Sequence, residues 1–101
     1  LETSVLFMKF LEDAAGSMCR QMIERDLAEN TQVLIPEEGT EPAHLTDLLA
    51  RFHSRSLSID HPDVQQWIWL YESAISMTDD QSEVWHTVCV ALMRHPDFYT
   101  Y

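Results

Sequence analysis

The chain predicts an all-α fold: a small four-helix bundle-like domain spanning residues 1–101, with mostly antiparallel neighbours. Apolar residues recur at spacings of three and four, no stretch alternates long enough for a strand, and the connections are short. A chain of 101 residues buries one core and leaves little room for an enclosed active-site cavity beside it.

The first helix is expected from Ser4 to Glu29. Phe7, Phe10, Leu11, Ala14, Ala15, Met18 and Met22 form one broad apolar stripe along it. Gly16 lies inside this helix at a cost of about 1 kcal/mol relative to Ala, and Asn30 and Thr31 read as end signals. Residues 33–40 lack periodicity and hold Pro36 and Gly39, which makes them a loop. Thr40 is placed to cap the second helix, with Pro42 in its first turn and Leu45, Leu48, Leu49 and Phe52 on its buried face. Residues 54–59 connect to a third helix opened by Asp60 or His61 before Pro62. Its inner face is Val64, Trp67, Ile68, Tyr71 and Ile75. Thr78 or Asp79 is expected to cap the fourth helix, which turns Trp85, Val88, Cys89 and Leu92 inward and stops at His95-Pro96. Phe98 is expected to fold back onto the floor of the bundle.

Seventeen acidic residues against six basic ones give a net charge of −11. Phosphate backbones and anionic lipid are repelled by such a surface, and Lys9 with the arginines at 20, 25, 51, 55 and 94 makes no basic stripe. Nucleic acid is excluded as an expected partner. Membrane insertion is excluded too, because the apolar run Val5-Leu6-Phe7-Met8 is cut short by Lys9. Beginning at Leu1 without an initiator Met, the chain is expected to be processed, trimmed or a piece of something longer.

Cys19 and Cys89 fall on the first and last helices. A bridge between them, stabilising by about 3–5 kcal/mol through loop closure, and two buried free thiols both fit the sequence. Neither lies in a Cys-x-x-Cys or Cys-x-x-Cys-His pattern, which removes thioredoxin-like redox chemistry and covalent haem attachment.

Two Glu-x-x-His units, Glu41 with His44 and Glu83 with His86, echo the ligand spacing of di-metal carboxylate bundles. Glu12 or Glu24 with Glu72 would nominally complete such a set. With Trp85 taken as zero, His86 falls at about 100° and Glu83 at about 160°, away from the inner face. Glu41 sits at a helix mouth, where a carboxylate ordinarily serves the dipole. His53, His61 and His95 occupy a helix end, a cap and a pre-proline position, where capping and surface roles are usual. A chain with two glycines has no nucleophile elbow, phosphate loop or dinucleotide turn. No catalytic, cofactor-binding or metal-ligating residue is therefore assigned, no cofactor is expected, and enzymatic activity has no motif behind it.

Binding features are better supported. Trp69 lies about 140° round its helix from Val64, opposite the inner face, and Tyr99 and Tyr101 follow the last helix. These three are the candidate partner-binding residues, since Trp and Tyr are enriched in interface cores. The five methionines read as gap-filling core.

The segment Trp85-x-x-Val88-Cys89-x-Ala91-Leu92-Met93-x-His95-Pro96-Asp97-Phe98-x-x-Tyr101 resembles the closing helix of large extracytoplasmic proteins of planctomycetes and myxobacteria, a group of cytochrome-associated domains of unknown function. In these a Trp-led helix ending in a small-Leu-Leu run precedes a Pro or Asn and an aromatic. Residues 49–71, with the turn Asp60-His61-Pro62-Asp63, are loosely similar as well. The resemblance implies a bacterial periplasmic, envelope or secreted setting and favours the Cys19–Cys89 bridge. It implies no haem here and carries over no functional residue.

The expectation is thus a non-enzymatic helical interaction or accessory domain, a subunit or fragment of a larger extracytoplasmic assembly, with a protein partner or further copies of itself. The alternatives are a ferritin-like di-metal oxidase or storage bundle using the Glu-x-x-His pairs, and a cytoplasmic adaptor with free thiols.

Overall fold

A computed structural model describes the backbone of residues 3–99 and the side chains of residues 5–98. Five helices follow one another: α1 (Thr3–Glu29), α2 (Glu41–His53), α3 (Pro62–Met77), α4 (Gln81–Arg94) and a single turn, α5 (Pro96–Tyr99). They form a small helical bundle, and there is no strand among the described residues.

Local chemistry sets the helix ends. α1 stops at Asn30, whose φ of 54° is left-handed, a conformation Asn tolerates. The Asp26 carboxylate then gathers the departing chain. It accepts from the Thr31 hydroxyl (2.7 Å) and from the backbone N–H groups of Val33 (3.1 Å), Leu34 (2.7 Å) and Ile35 (3.0 Å). This fold-back plants Leu34 in the core with none of its surface exposed. Thr40 occupies the cap position of α2 as expected, yet its hydroxyl donates back to the Glu37 carbonyl and caps nothing. α3 is capped by His61, not Asp60, and α4 by Asp80, past the expected Thr78 or Asp79. The Asp80 carboxylate accepts from Ser82 N–H (2.9 Å), while the Thr78 hydroxyl serves Asp80 N–H and Glu83. His95 is extended before Pro96, as a pre-proline residue prefers, and the chain then turns helical again where a plain aromatic tail was expected.

α4 is the centre of the molecule. Val84, Trp85, Val88, Cys89 and Leu92 are fully enclosed, facing Leu45, Leu48 and Leu49 of α2 and Val64 and Ala74 of α3. The inner face of α3 is as expected except at its end, where Ala74 is buried and Ile75 stands out. Phe98 folds back against Phe52, ring centroids 6.0 Å apart.

Among the described residues α1 packs against α4 and no other helix, antiparallel to it, with Glu12 beside Arg94 (3.9 Å) at one end and Leu27 near Ser82 at the other. Cys19 and Cys89 are bridged, with Cα atoms 5.9 Å apart, and both are fully buried. The buried face of α1 is Ala15, Cys19, Ile23 and Asp26, not the expected stripe, of which Ala15 alone is buried. The bridge turns the Cys19 side of the helix inward. That side is about 115° from the centre of the Phe7-Leu11-Ala14-Met18 stripe, which is left facing outward.

Candidate functional site

The aromatic end of α3 holds the best candidate. Trp69 is 68% exposed, as its helical position predicts, and borders a shallow groove of about 420 Å³ with Gln66, Trp67, Leu70 and His95. Trp67 and His95 form its inner wall with a third ring behind them. His53 stacks on His95 (4.8 Å, 30° between planes) and meets Trp67 edge-on at 5.7 Å.

One wall residue, His95, belongs to a tripeptide that occurs twice. His-Pro-Asp occurs at residues 61–63 and again at 95–97. In each copy proline opens a helix and the histidine Nδ1 accepts the N–H of the aspartate two residues on, at 3.1 Å both times. Both aspartates then face one cation: Arg55 Nη1 lies 2.7 Å from Asp63 and 3.5 Å from Asp97. The hydrogen bond from this guanidinium holds the Asp63 carboxyl below its ordinary 3.8. Arg55 thus ties the start of α3 to the start of α5, two residues on from the His95 of the groove wall.

His53, His95 and Asp97 each offer a donor atom within 4.8 Å of the others. Their orientations do not converge. His53 Nε2 donates to the Leu92 carbonyl (2.8 Å), stacked rings carry their in-plane lone pairs side by side, and Asp97 already faces a guanidinium. The cluster reads as a hydrogen-bonded aromatic and ionic wall.

The Glu-x-x-His residues lie apart. His44 Nε2 donates to the Leu34 carbonyl (2.8 Å) and its ring meets Trp85 edge-on, while Glu41 accepts from Gly39 N–H and the Tyr71 hydroxyl. On the other side of α4, Glu83 accepts from Thr78. His86 is not solvent-facing, because α1 lies there: its Nε2 donates to the Gly16 carbonyl at 3.0 Å. These four do not form a close ligand group among the described residues. Each of the five histidines is engaged with the backbone, three holding carbonyls and two capping helices. Burial lowers the pKa of His44 and His53 below the ordinary 6.5, against the opposing hydrogen bonds to their carbonyls.

A larger groove of about 590 Å³ runs between α1 and α4, lined by Arg20, Glu24, Glu83 and His86 among others. It has no aromatic side chain besides the His86 ring, which is already committed to α1. Tyr101 and the side chain of Tyr99, also expected at the docking surface, lie outside the described residues.

Sequence reasoning missed Arg55, Asp26 and the role of His53. The doubled His-Pro-Asp was visible and signals two matched helix starts. Nothing in the sequence places both beside one arginine.

No helix among the described residues is long and apolar enough to cross a membrane. Comparison with protein-family models, with curated proteins and with solved structures found no match to this chain.

Proposed function

We propose that this chain is a non-enzymatic interaction domain, an accessory subunit or part of a larger extracytoplasmic bacterial assembly, that docks a protein partner through the Trp69 groove. The observation that carries this reading is the exposure of Trp69. A large indole stands in solvent beside a groove whose wall is braced by three rings and a shared arginine. Rigid aromatic anchors of this kind dominate protein interfaces, because they bury much area at low entropic cost.

The charge of the molecule narrows the partner. A net charge of −11 favours a segment that presents Lys or Arg next to an apolar side chain. The indole face adds a cation–π site for the same group. The Cys19–Cys89 bridge supports an oxidising compartment, since such bridges persist where thiols are not kept reduced.

Displayed-peptide selection against the folded protein tests the proposal. Sequences pairing a basic and an apolar residue are expected to be enriched and to lose at least about tenfold in affinity towards Trp69→Ala. Failure to enrich any sequence, or binding indifferent to Trp69→Ala, contradicts it.

A further inference from the structure

The two His-Pro-Asp starts are bonded alike and hold up unlike structures. His61 opens α3, sixteen residues long with Val64 fully enclosed, whereas His95 opens α5, a single turn of four residues. We infer that the second start is a proton-operated clasp: uptake of a proton by His95 opens α5 and lifts Phe98 off Phe52, while α3 stays in place.

The cap specifies the charge state it needs. A backbone N–H can only donate, so the His95 Nδ1 that accepts from Asp97 at 3.1 Å carries a lone pair and the ring is neutral. A protonated imidazole has N–H groups at both nitrogens. It sets donor against donor, and turning the ring over restores no acceptor. The Asp97 carboxylate then offers the proton a partner: its Oδ2 lies 3.8 Å from His95 Nδ1 and 3.5 Å from Arg55 Nη1, while Arg55 holds Asp63 at 2.7 Å. A charged His95 draws Asp97 off the longer of the two arginine contacts, leaves Arg55 on Asp63, and so loosens α5 from the start of α3.

Charged and titratable groups gather round His95 from each neighbouring element: His53 of α2, stacked at 4.8 Å, Arg55 of the connector, Asp63 of α3 and Asp97 of α5, with Arg94 of α4 next to it in the chain and paired with Glu12. The two carboxylates favour the proton and the guanidinium opposes it. Of the two stacked rings His53 is the less available, being buried with its Nε2 donating to the Leu92 carbonyl, whereas 42% of the His95 side chain is exposed. Beside the cap, α5 rests on the bond from Phe98 N–H to the His95 carbonyl (2.9 Å) and on the Phe52–Phe98 contact. A single turn has no further turns to share the loss of a cap, because helical stability accrues by propagation from a costly nucleus. α3, started by the same acceptor on His61, keeps Val64 and Ala74 buried when its cap is lost, and frays by no more than its first turn. Since His95 and Trp67 wall the Trp69 groove, the clasp makes the shape of that wall depend on pH.

An NMR titration of the intact, oxidised protein from about pH 8 to about pH 5, the range in which imidazoles change charge, tests this. The expected result is that the nuclear Overhauser contacts between the Phe52 and Phe98 rings disappear in step with titration of the His95 ring. Over the same range the backbone carbon shifts of Pro96–Tyr99 lose their helical values and those of α3 beyond its first turn keep theirs. His95→Asn supplies a cap that does not titrate, and is expected to keep Phe98 on Phe52 throughout; His61→Asn is expected to leave the opening of α5 as it is. Circular dichroism confirms that both variants fold, and the titration of the unaltered protein decides the matter without them. A Phe52–Phe98 contact that persists at about pH 5, an opening that survives in His95→Asn, or an α3 that opens together with α5 overturns the inference. Every readout is taken on the free protein, so the result does not depend on what the Trp69 groove binds.

Discussion

The two flanks of α4 are held by different means. Towards α2 and α3 the packing rests on size: Trp85, Leu92, Val84 and Val88 meet Leu45, Leu48, Leu49 and Val64, all enclosed. Towards α1 it rests on specific bonds. Ala15, Ile23 and the half-buried Met22 contribute modest apolar area, with Met93 against the Cys19 sulfur, and to these are added a disulfide, the His86 bond to Gly16 and the long ion pair of Arg94 with Glu12. A helix whose widest apolar stripe faces away from α4, its one helical neighbour among the described residues, depends on covalent and polar attachment.

Removing the bridge separates the flanks most strongly. The double variant Cys19→Ser, Cys89→Ser is expected to lose about 3–5 kcal/mol in denaturant unfolding, from loop closure over 70 residues. Leu48→Ala, on the side packed by size, is expected to lose about 2–5 kcal/mol by leaving a cavity, and to do so whether the bridge is oxidised or reduced.

Asp26→Ala comes next. It strands three backbone donors, one of them the buried N–H of Leu34, for an expected loss of about 2–4 kcal/mol by thermal unfolding. Burial alone would raise the Asp26 carboxyl; its hydrogen bonds to Thr31, Ile35, Leu34 and Val33 outweigh that and hold it below 3.8. Its contribution is therefore complete above pH 3.8 and is lost as pH falls through the lower folded value.

His44 and His53 act at higher pH, on the flank packed by size. Burial keeps both rings neutral below their ordinary 6.5, so the unfolded chain takes up their protons first. Their stabilisation is complete above pH 6.5 and is lost as pH falls through the lowered folded values. Urea midpoints followed through an acid titration are expected to fall in two phases, the histidine phase before that of Asp26. The smallest effect is at Trp69. Trp69→Ala is expected to change stability by no more than about 0.5 kcal/mol, because the indole is exposed, and to act on binding alone.

How much of this was legible follows the same division. The inner faces of α2 and α4 were readable because Leu45, Leu48 and Leu49, and Trp85, Val88 and Leu92, are large side chains at helical spacing. The outward position of Trp69 followed from the same geometry. On α1 the largest apolar residues, Phe7, Phe10 and Met18, suggested a buried stripe. The buried residues, Ala15, Cys19, Ile23 and Asp26, include small ones that let α4 approach the bridge, and size-weighted periodicity ranks Cys19 low. Helix starts after Asp, His and Pro were recognisable, but the shift of the α4 cap from the expected Thr78 or Asp79 to Asp80 depends on which side chain reaches which N–H. Asp26 and Arg55 were unreadable for a related reason: each gathers partners brought to it by the fold, and a lone carboxylate on a helix or a lone arginine in a connector looks like solvated surface.

Site-resolved hydrogen exchange with the bridge intact and after reduction tests the central claim, that the disulfide holds α1 to a core α4 shares with α2 and α3. Loss of protection in α1 from about residue 12 to residue 25, with the amides of α2, α3 and α4 still slow, is the result this account predicts. Retained protection in α1, or its loss together with that of α2 and α3, would contradict it.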